Sequence, residues 1–180
     1  HRRTCALLGT RARQRATDFL HGVEVLTVDA GPRPVQTIRS AIIGLIGIAG
    51  SGKTLVARHL VERHGFVRQR FAGPLKEMIK VGLGLTNEQL DGSAKNEPIA
   101  WAGGCTPRHM MQTLGTEWGR RMIHSDIWIN RWRFIVESES SDLIVVDDVR
   151  FPNEAAALRD VGGKLWRVYR PGLATSSHAS

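Results

Sequence analysis

The residues best suited to chemistry are Gly47-Ile-Ala-Gly-Ser-Gly-Lys53-Thr54, a Gly-x-x-x-x-Gly-Lys-Thr string. Gly47, Gly50 and Gly52 free the backbone for conformations that a side chain forbids. They let the loop that also carries Ala49 and Ser51 bring its N–H groups against phosphate oxygens. Lys53 has the reach and charge for β- and γ-phosphates, and Thr54 offers a hydroxyl to Mg²⁺. A second string, Leu143-Ile-Val-Val-Asp147-Asp148-Val-Arg150, runs four apolar residues into carboxylates, as does the strand whose acid holds the metal shell in phosphate-loop enzymes. Adjacent strand residues face opposite ways, so the choice between Asp147 and Asp148 stays open. A third set is the arginines Arg68, Arg70, Arg108, Arg120, Arg121 and Arg150. A guanidinium grips phosphate with two donors at once, and Arg150 stands two residues past a candidate metal-site acid.

These side chains work only if particular elements hold them. The phosphate loop requires a strand before it and a helix after it. Ala41–Ile46 is an apolar run suited to a buried parallel strand. Leu55–His64 has a helical pattern with Leu55, Val56, Leu60 and Val61 inward, and Gly65 ends it. The helix turns its positive end toward the anion that the loop cradles. Phe66–Phe71 reads as a weak strand, and Pro74 opens a helix reaching about Gly82. The stretch from Thr86 to Cys105 reads as irregular, either a lid or a surface loop. Thr106-Pro107 opens a helix to about Ile123. Ser125-Asp126 caps another to Glu137, with Ile127, Trp128, Phe134 and Ile135 as its buried stripe. Leu143–Val146 is a strand, Pro152–Val161 a helix closed by Gly162-Gly163, and Leu165–Tyr169 a last strand. The alternation predicts an α/β fold: a parallel sheet flanked by helices, carrying a P-loop. Ligands of such sheets sit at the carboxyl ends of the strands, which brings Gly47–Thr54 and Asp147–Arg150 to one rim.

Composition narrows the class. With 180 residues and 42% hydrophobic content, the chain can bury a real core. No apolar run approaches the ~18 residues of a membrane span. The two cysteines, Cys5 and Cys105, have no metal-ligand spacing and suit a reducing, cytoplasmic setting. Seven arginines against three acids put +4 of the net +8 in residues 1–40, which are read as an Arg-rich, poorly ordered extension before a kinase domain at 41–180. Val23–Val28 could add a short strand there. The rest of the excess charge suits a protein that grips several phosphates, so nucleic acid is not the expected partner. The absence of an Asn-Lys-x-Asp box argues against a GTPase, and the size argues against a motor core.

Several strings carry a resemblance: Thr106-Pro-Arg108, Leu114-Gly-Thr-Glu-Trp-Gly-Arg120, Asp126-Ile-Trp128, Asp147-Asp-Val-Arg-Phe-Pro-Asn-Glu154, Phe71-Ala-Gly-Pro-Leu-Lys76 and Ser177-His178-Ala-Ser180. Together, over about residues 41–180, the chain resembles the phage-type deoxynucleoside monophosphate kinases. The family motif around His178 normally continues, so the resemblance implies a chain cut short at its C-terminus. It also implies a P-loop NTPase fold of the nucleotide-kinase-like type, and ATP- and Mg²⁺-dependent transfer to a (deoxy)nucleoside 5′-monophosphate. Lys53, Arg150, Arg108, Arg120 and Asp148 would be catalytic. Thr54, Asp147 and Asp148 would stand at the metal, and Arg70, Lys76, Arg108, Arg150, Asn153 and Glu154 at the substrate. Asn153 has an equal alternative as a helix cap. Two other readings remain: a kinase for a different small phosphorylated metabolite, such as dephospho-coenzyme A, and a nucleic-acid-stimulated ATPase. Oligomeric state is left open, a homodimer being one option.

Overall fold

The computed structural model describes residues 24–28 and 41–173. The remainder of the N-terminal stretch and the Ser177-His178 motif lie outside the described residues. In chain order the elements are β1 (Glu24–Val28), β2 (Ala41–Ile46), α1 (Lys53–His64), β3 (Val67–Arg68), α2 (Gly73–Leu83), α3 (Asn87–Asp91), α4 (Pro107–Gln112), a π-helical stretch Thr113–Ile123, α5 (Ile127–Ser138), β4 (Leu143–Val146), α6 (Pro152–Asp160) and β5 (Lys164–Tyr169), with 3₁₀ turns at Ser93–Asn96 and Ala100–Ala102. The chain forms two compact units, one from His1–Arg68 with Ser140–Ser180 and the other from Gln69–Glu139. No helix among the described residues is long and apolar enough to cross a membrane.

The first unit is the expected α/β sheet. Its strands lie in the order β1-β5-β2-β4-β3. Four run parallel, and β1 joins β5 antiparallel at one edge, Glu24 opposite Tyr169 and Val28 opposite Leu165. Strand alternation sends Ile43 and Leu45 to one face, where they pack with Val145, Trp166 and Val168 against Val56, Ala57 and Leu60 of α1. Gly44 faces the other way. A Cβ there would lie 2.5 Å from Leu158 Cδ1 and 2.9 Å from Leu165 Cδ2. The glycine in this otherwise apolar strand therefore makes room for Leu158 of α6, and the sheet is covered on both faces.

Two details differ from the sequence reading in this unit. Helix α1 begins at Lys53, and Leu55 and Val61 are over a third exposed, whereas Val56, Ala57, His59 and Leu60 are buried. At 100° per residue the buried arc runs from His59 to Ala57, and Leu55 and Val61 fall at its margins. Strand β3 spans only Val67–Arg68, because β4 offers it just Ile144 and Val145 as partners.

The second unit is helical. Leu75, Ile79, Leu85, Leu90, Ile99 and Trp128 form its core. In α5 the buried residues are Trp128, Ile129, Trp132 and Val136. Phe134, expected inward, is 63% exposed, since it lies two positions from Trp132 and so on the far side of the helix. Trp132 is fully buried, stacks on Phe71 at 4.6 Å between ring centroids, and donates its indole N–H to Gln69 O at 3.2 Å. The stretch Thr86–Cys105 is ordered as well. Thr86 and Gln89 form a reciprocal cap on α3, with Thr86 N donating to Gln89 Oε1 at 2.9 Å and Gln89 N to Thr86 Oγ1 at 3.3 Å. Leu90 and Ile99 anchor the segment in the core. The signature was present in Thr86-Asn-Glu-Gln89.

Candidate active site

The loop between β2 and α1 takes the shape its glycines permit. Gly50 and Gly52 have φ of 79° and 99°, and Gly47 has φ of 152°, all in the region that favours glycine. A Cβ at Gly47 would lie 2.4 Å from Val168 O, so only glycine fits there. Helix α1 starts with Gly52 at its cap, without a side-chain cap or a first-turn acid. Its leading N–H groups thus have no anionic partner of their own, which suits an incoming anion. Ser51 is fully buried in the loop, and its hydroxyl finds no hydrogen-bond partner. An orphaned hydroxyl in a glycine-rich loop that leads into an uncapped helix start fits the phosphates of a nucleotide. Lys53 folds over the loop, donating from Nζ to Gly47 O at 2.6 Å and Ile48 O at 2.8 Å. Burial pushes the Lys53 ammonium below its ordinary pKa, the positive charge of Arg150 pushes it further, and the carboxylate of Asp147 pulls the other way. Lys53, Arg150 and Asp147 therefore share one electrostatic neighbourhood, on the rim where the carboxyl ends of β2 and β4 meet.

The ladder explains how the acid arrives. Val146 pairs with Gly44, so β4 ends beside the start of the phosphate loop and Asp147 is the first residue past it. Asp147 is buried, and its Oδ2 lies 3.4 Å from the Thr54 hydroxyl, which donates to it. Of the two adjacent acids, it is Asp147 that the structure brings to Thr54, while Asp148 is partly exposed. Arg68 differs from its sequence assignment. It is grouped with the arginines suited to grip phosphate, yet its guanidinium forks onto Asp147, Nε donating to Oδ1 at 2.9 Å and Nη2 to Oδ2.

Arg150 is exposed beyond β4. Glu154, implied by the resemblance to touch the substrate, instead turns inward. It is 3% exposed, and its Oε2 accepts from the backbone N–H of Arg150 at 2.8 Å and of Phe151 at 3.1 Å. It satisfies the first turn of α6 and fixes the backbone that carries Arg150. Asn153 is exposed at the second position of α6, one residue past the cap position, and its Oδ1 accepts from Glu154 N at 3.1 Å.

Arg70, Lys76, Arg108 and Arg120 belong to the second unit. Arg70 Nη1 donates to Asp91 Oδ1 at 2.8 Å, and Lys76 Nζ donates to the same oxygen. Burial alone would raise the Asp91 carboxyl, but hydrogen bonds and charge from Arg70 and Lys76 outweigh it and hold the group below its ordinary range. The two cations are thus yoked by one acid. Asp91 carries no signal in the sequence, because it acts across a turn that only the fold closes. Arg108 Nε donates to Asn96 Oδ1 at 2.7 Å. The helix expected over 107–123 is α-helical only to Gln112 and π-helical from Thr113 to Ile123. Trp128 seats against this wider stretch. Its indole N–H donates to Gly115 O at 2.8 Å, and a Cβ on Gly119 would lie 2.7 Å from its ring. The Gly115/Gly119 pair fixes the backbone just before Arg120. Among the described residues, no group of three or more His, Cys, Asp or Glu could hold a metal by itself, so a cation here would depend on the nucleotide phosphates as well.

A family model described as deoxynucleotide monophosphate kinase matches residues 101–179. Across 74% of this chain and 76% of the relative, the sequence is 37% identical to the "Putative deoxynucleotide monophosphate kinase" of Acanthamoeba polyphaga mimivirus. Across 67% of this chain and 72% of the relative, it is 26% identical to the deoxynucleoside-5'-monophosphate kinase of Escherichia phage T5. A 37-residue segment, 21% of the chain, is 51% identical to 8% of a tail sheath protein of Burkholderia phage BcepMu, too small a share of either to bear on function.

Proposed function

The chain belongs to the deoxynucleotide monophosphate kinase family, and from that premise we propose that it transfers the γ-phosphoryl group of ATP, with Mg²⁺, to a deoxynucleoside 5′-monophosphate. A bond forms between an acceptor phosphate oxygen and the γ-phosphorus, the β–γ bridge breaks, and ADP and the nucleoside diphosphate leave. The observation that carries the reading is the convergence of Lys53, Thr54, Asp147 and Arg150 at the phosphate loop.

The acceptor is already an ionised phosphate oxygen, so the reaction needs no strong general base. Its barrier lies in aligning two polyanions and offsetting the charge of the transferring group. Lys53 supplies charge at the donor's β- and γ-phosphates by leaving the carbonyls of Gly47 and Ile48 that it now holds. The loop N–H groups and the start of α1 orient the triphosphate. The hydroxyl of Thr54 and the carboxylate of Asp147 are hard oxygen donors suited to Mg²⁺, which when bound offsets charge on the β- and γ-oxygens. Arg150, on a backbone held by Glu154, steadies the transferring group. Arg70 and Lys76, with Arg108 and Arg120, would receive the acceptor phosphate.

The test is ADP release with ATP and Mg²⁺ against a panel of deoxynucleoside and ribonucleoside monophosphates, dephospho-coenzyme A and single-stranded DNA. Release that depends on a deoxynucleoside monophosphate is expected. Release driven only by DNA or only by the coenzyme precursor refutes the reading. Lys53→Ala should lower turnover by roughly 10²–10³-fold with an unchanged circular dichroism spectrum. Full activity in that variant would remove the phosphate-loop mechanism.

A further inference from the structure

The acid at the phosphate loop does not stand alone. Asp147 has a side chain only 4% exposed, and a carboxylate so buried requires a partner of opposite charge or several hydrogen bonds. Arg68 supplies both. In the parallel ladder Arg68 is opposite Val145, and Val145 and Asp147, two residues apart, project to the same face. That face is the one α1 covers, since Val145 packs with Val56 and Leu60. Arg68 therefore reaches along the strand to Asp147 on the side where Thr54 stands. Its fork occupies one position on each carboxylate oxygen and so fixes the plane of the group. The capacity left on Oδ2 is directed at the Thr54 hydroxyl.

We propose that Arg68 is a positioning residue: it sets the carboxylate of Asp147 so that Oδ2 and the Thr54 hydroxyl together face the divalent cation that accompanies the nucleotide. This rests on the phosphotransfer reading above. It assigns Arg68 no contact with substrate. Arg68 acts through Asp147, so its loss is felt in the cation's contribution to nucleotide binding and not in the contribution of the loop N–H groups and Lys53. Lysine in its place keeps the charge and loses the planar two-point grip.

The experiment is calorimetric titration of the full chain with ADP, in MgCl₂ and in EDTA, for the wild type, Arg68→Lys, Asp147→Asn and the double variant. The quantity read is the ratio of the two affinities, the gain due to Mg²⁺. Arg68→Lys should bind ADP in EDTA like the wild type, while its Mg²⁺ gain falls roughly tenfold to a hundredfold, the usual cost of losing a partner that orients a metal ligand. Asp147→Asn should lose the same gain, and the double variant should lose no more than Asp147→Asn alone. A full or larger gain in Arg68→Lys overturns the proposal, the latter by making Arg68 a competitor of the cation. A loss in EDTA with the gain intact also overturns it, by reducing Arg68 to a structural support. Wild-type binding indifferent to Mg²⁺ removes this proposal and the metal in the phosphotransfer reading alike, whereas a normal wild-type gain with no effect of Arg68 removes this proposal only. Should Arg68→Lys fail to fold, Arg68→Met/Asp147→Asn leaves no buried charge and should show the same gain as Asp147→Asn; a difference refutes the inference.

Discussion

The seat of Trp128 on the π-helical stretch allows one substitution, Gly→Ala, to be predicted with opposite signs at two sites. At Gly119 the new Cβ would lie 2.7 Å from Trp128 Cζ2 and 2.9 Å from both Cε2 and Nε1. The ring cannot swing clear, because Trp128 is 5% exposed and its indole N–H is held by Gly115 O at 2.8 Å. Overpacking of this kind costs about 1–3 kcal/mol. If the ring shifts and the buried hydrogen bond breaks, a further 1–3 kcal/mol or so is lost. Alanine returns about 1 kcal/mol through helix propensity. Because the hydrogen bond holds the ring where the new Cβ must go, both costs apply, and the net expectation is a loss of about 1–5 kcal/mol. At Gly82, within α2 and exposed, a Cβ would meet nothing within 4 Å. Only the propensity term remains, a gain of about 0.5–1 kcal/mol. Urea unfolding followed by tryptophan fluorescence reads both. At a slope of about 2 kcal/mol per molar urea, the two midpoints should separate by roughly 1–3 M on opposite sides of the wild type. If Gly119→Ala is as stable as the wild type, the indole is not confined as described, and the account of how the backbone before Arg120 is fixed fails with it.

Arg150→Ala should reduce turnover on a monophosphate acceptor by about 10³-fold while leaving ATP affinity nearly unchanged; unaltered transfer kinetics would place Arg150 outside the reaction. Trp132→Ala should cost about 3–5 kcal/mol, whereas Phe134→Ala on the same helix should cost under about 0.5 kcal/mol, and parallel urea titrations compare them. Asp91 tests the yoked cations by pH. Its folded-state value is depressed below the ordinary 3.8, so its stabilising contribution is complete above that value and fades as pH falls through the lower folded one. The wild type should therefore lose more stability than Asp91→Asn on acidification below about pH 4, and equal acid limbs in thermal melts would show that the carboxylate is not held by Arg70 and Lys76.

The parts of the chain that were legible before folding are those whose signal is local. A phosphate loop is contiguous, and its glycines, lysine and threonine stand where the backbone needs them, so β2, the loop and α1 follow directly from residues 41–64. The apolar run into Asp147 is local in the same way. The choice between Asp147 and Asp148 is not, because it depends on where β4 stops relative to β2, a register set by pairing across the sheet. Arg68 and Asp91 were opaque for the same reason: each acts on a residue distant in sequence, and an arginine in a basic chain has no mark that separates an ion-paired role from a ligand-binding one. Glu154 shows the converse. Its string is distinctive, yet its carboxylate serves the backbone of Arg150, which is one step removed from chemistry. The π-helical stretch could have been suspected from Gly115 and Gly119 four residues apart with a tryptophan following, but the spacing of a regular helix absorbs that pattern equally well.

The antiparallel edge has a practical consequence for anyone trimming the protein. Residues 41–173 hold the whole phosphate loop and its acid, and they invite a shortened version beginning at Ala41. Such a version would strip Glu24–Val28 from β5 and lay bare one row of amide and carbonyl groups along Lys164–Tyr169. A six-residue strand with an open flank is a template for a second chain, and the same strand supplies the Val168 carbonyl against which Gly47 is fitted. The upstream segment is thus a selvedge that keeps the weave beneath the nucleotide loop from fraying or catching on its neighbours.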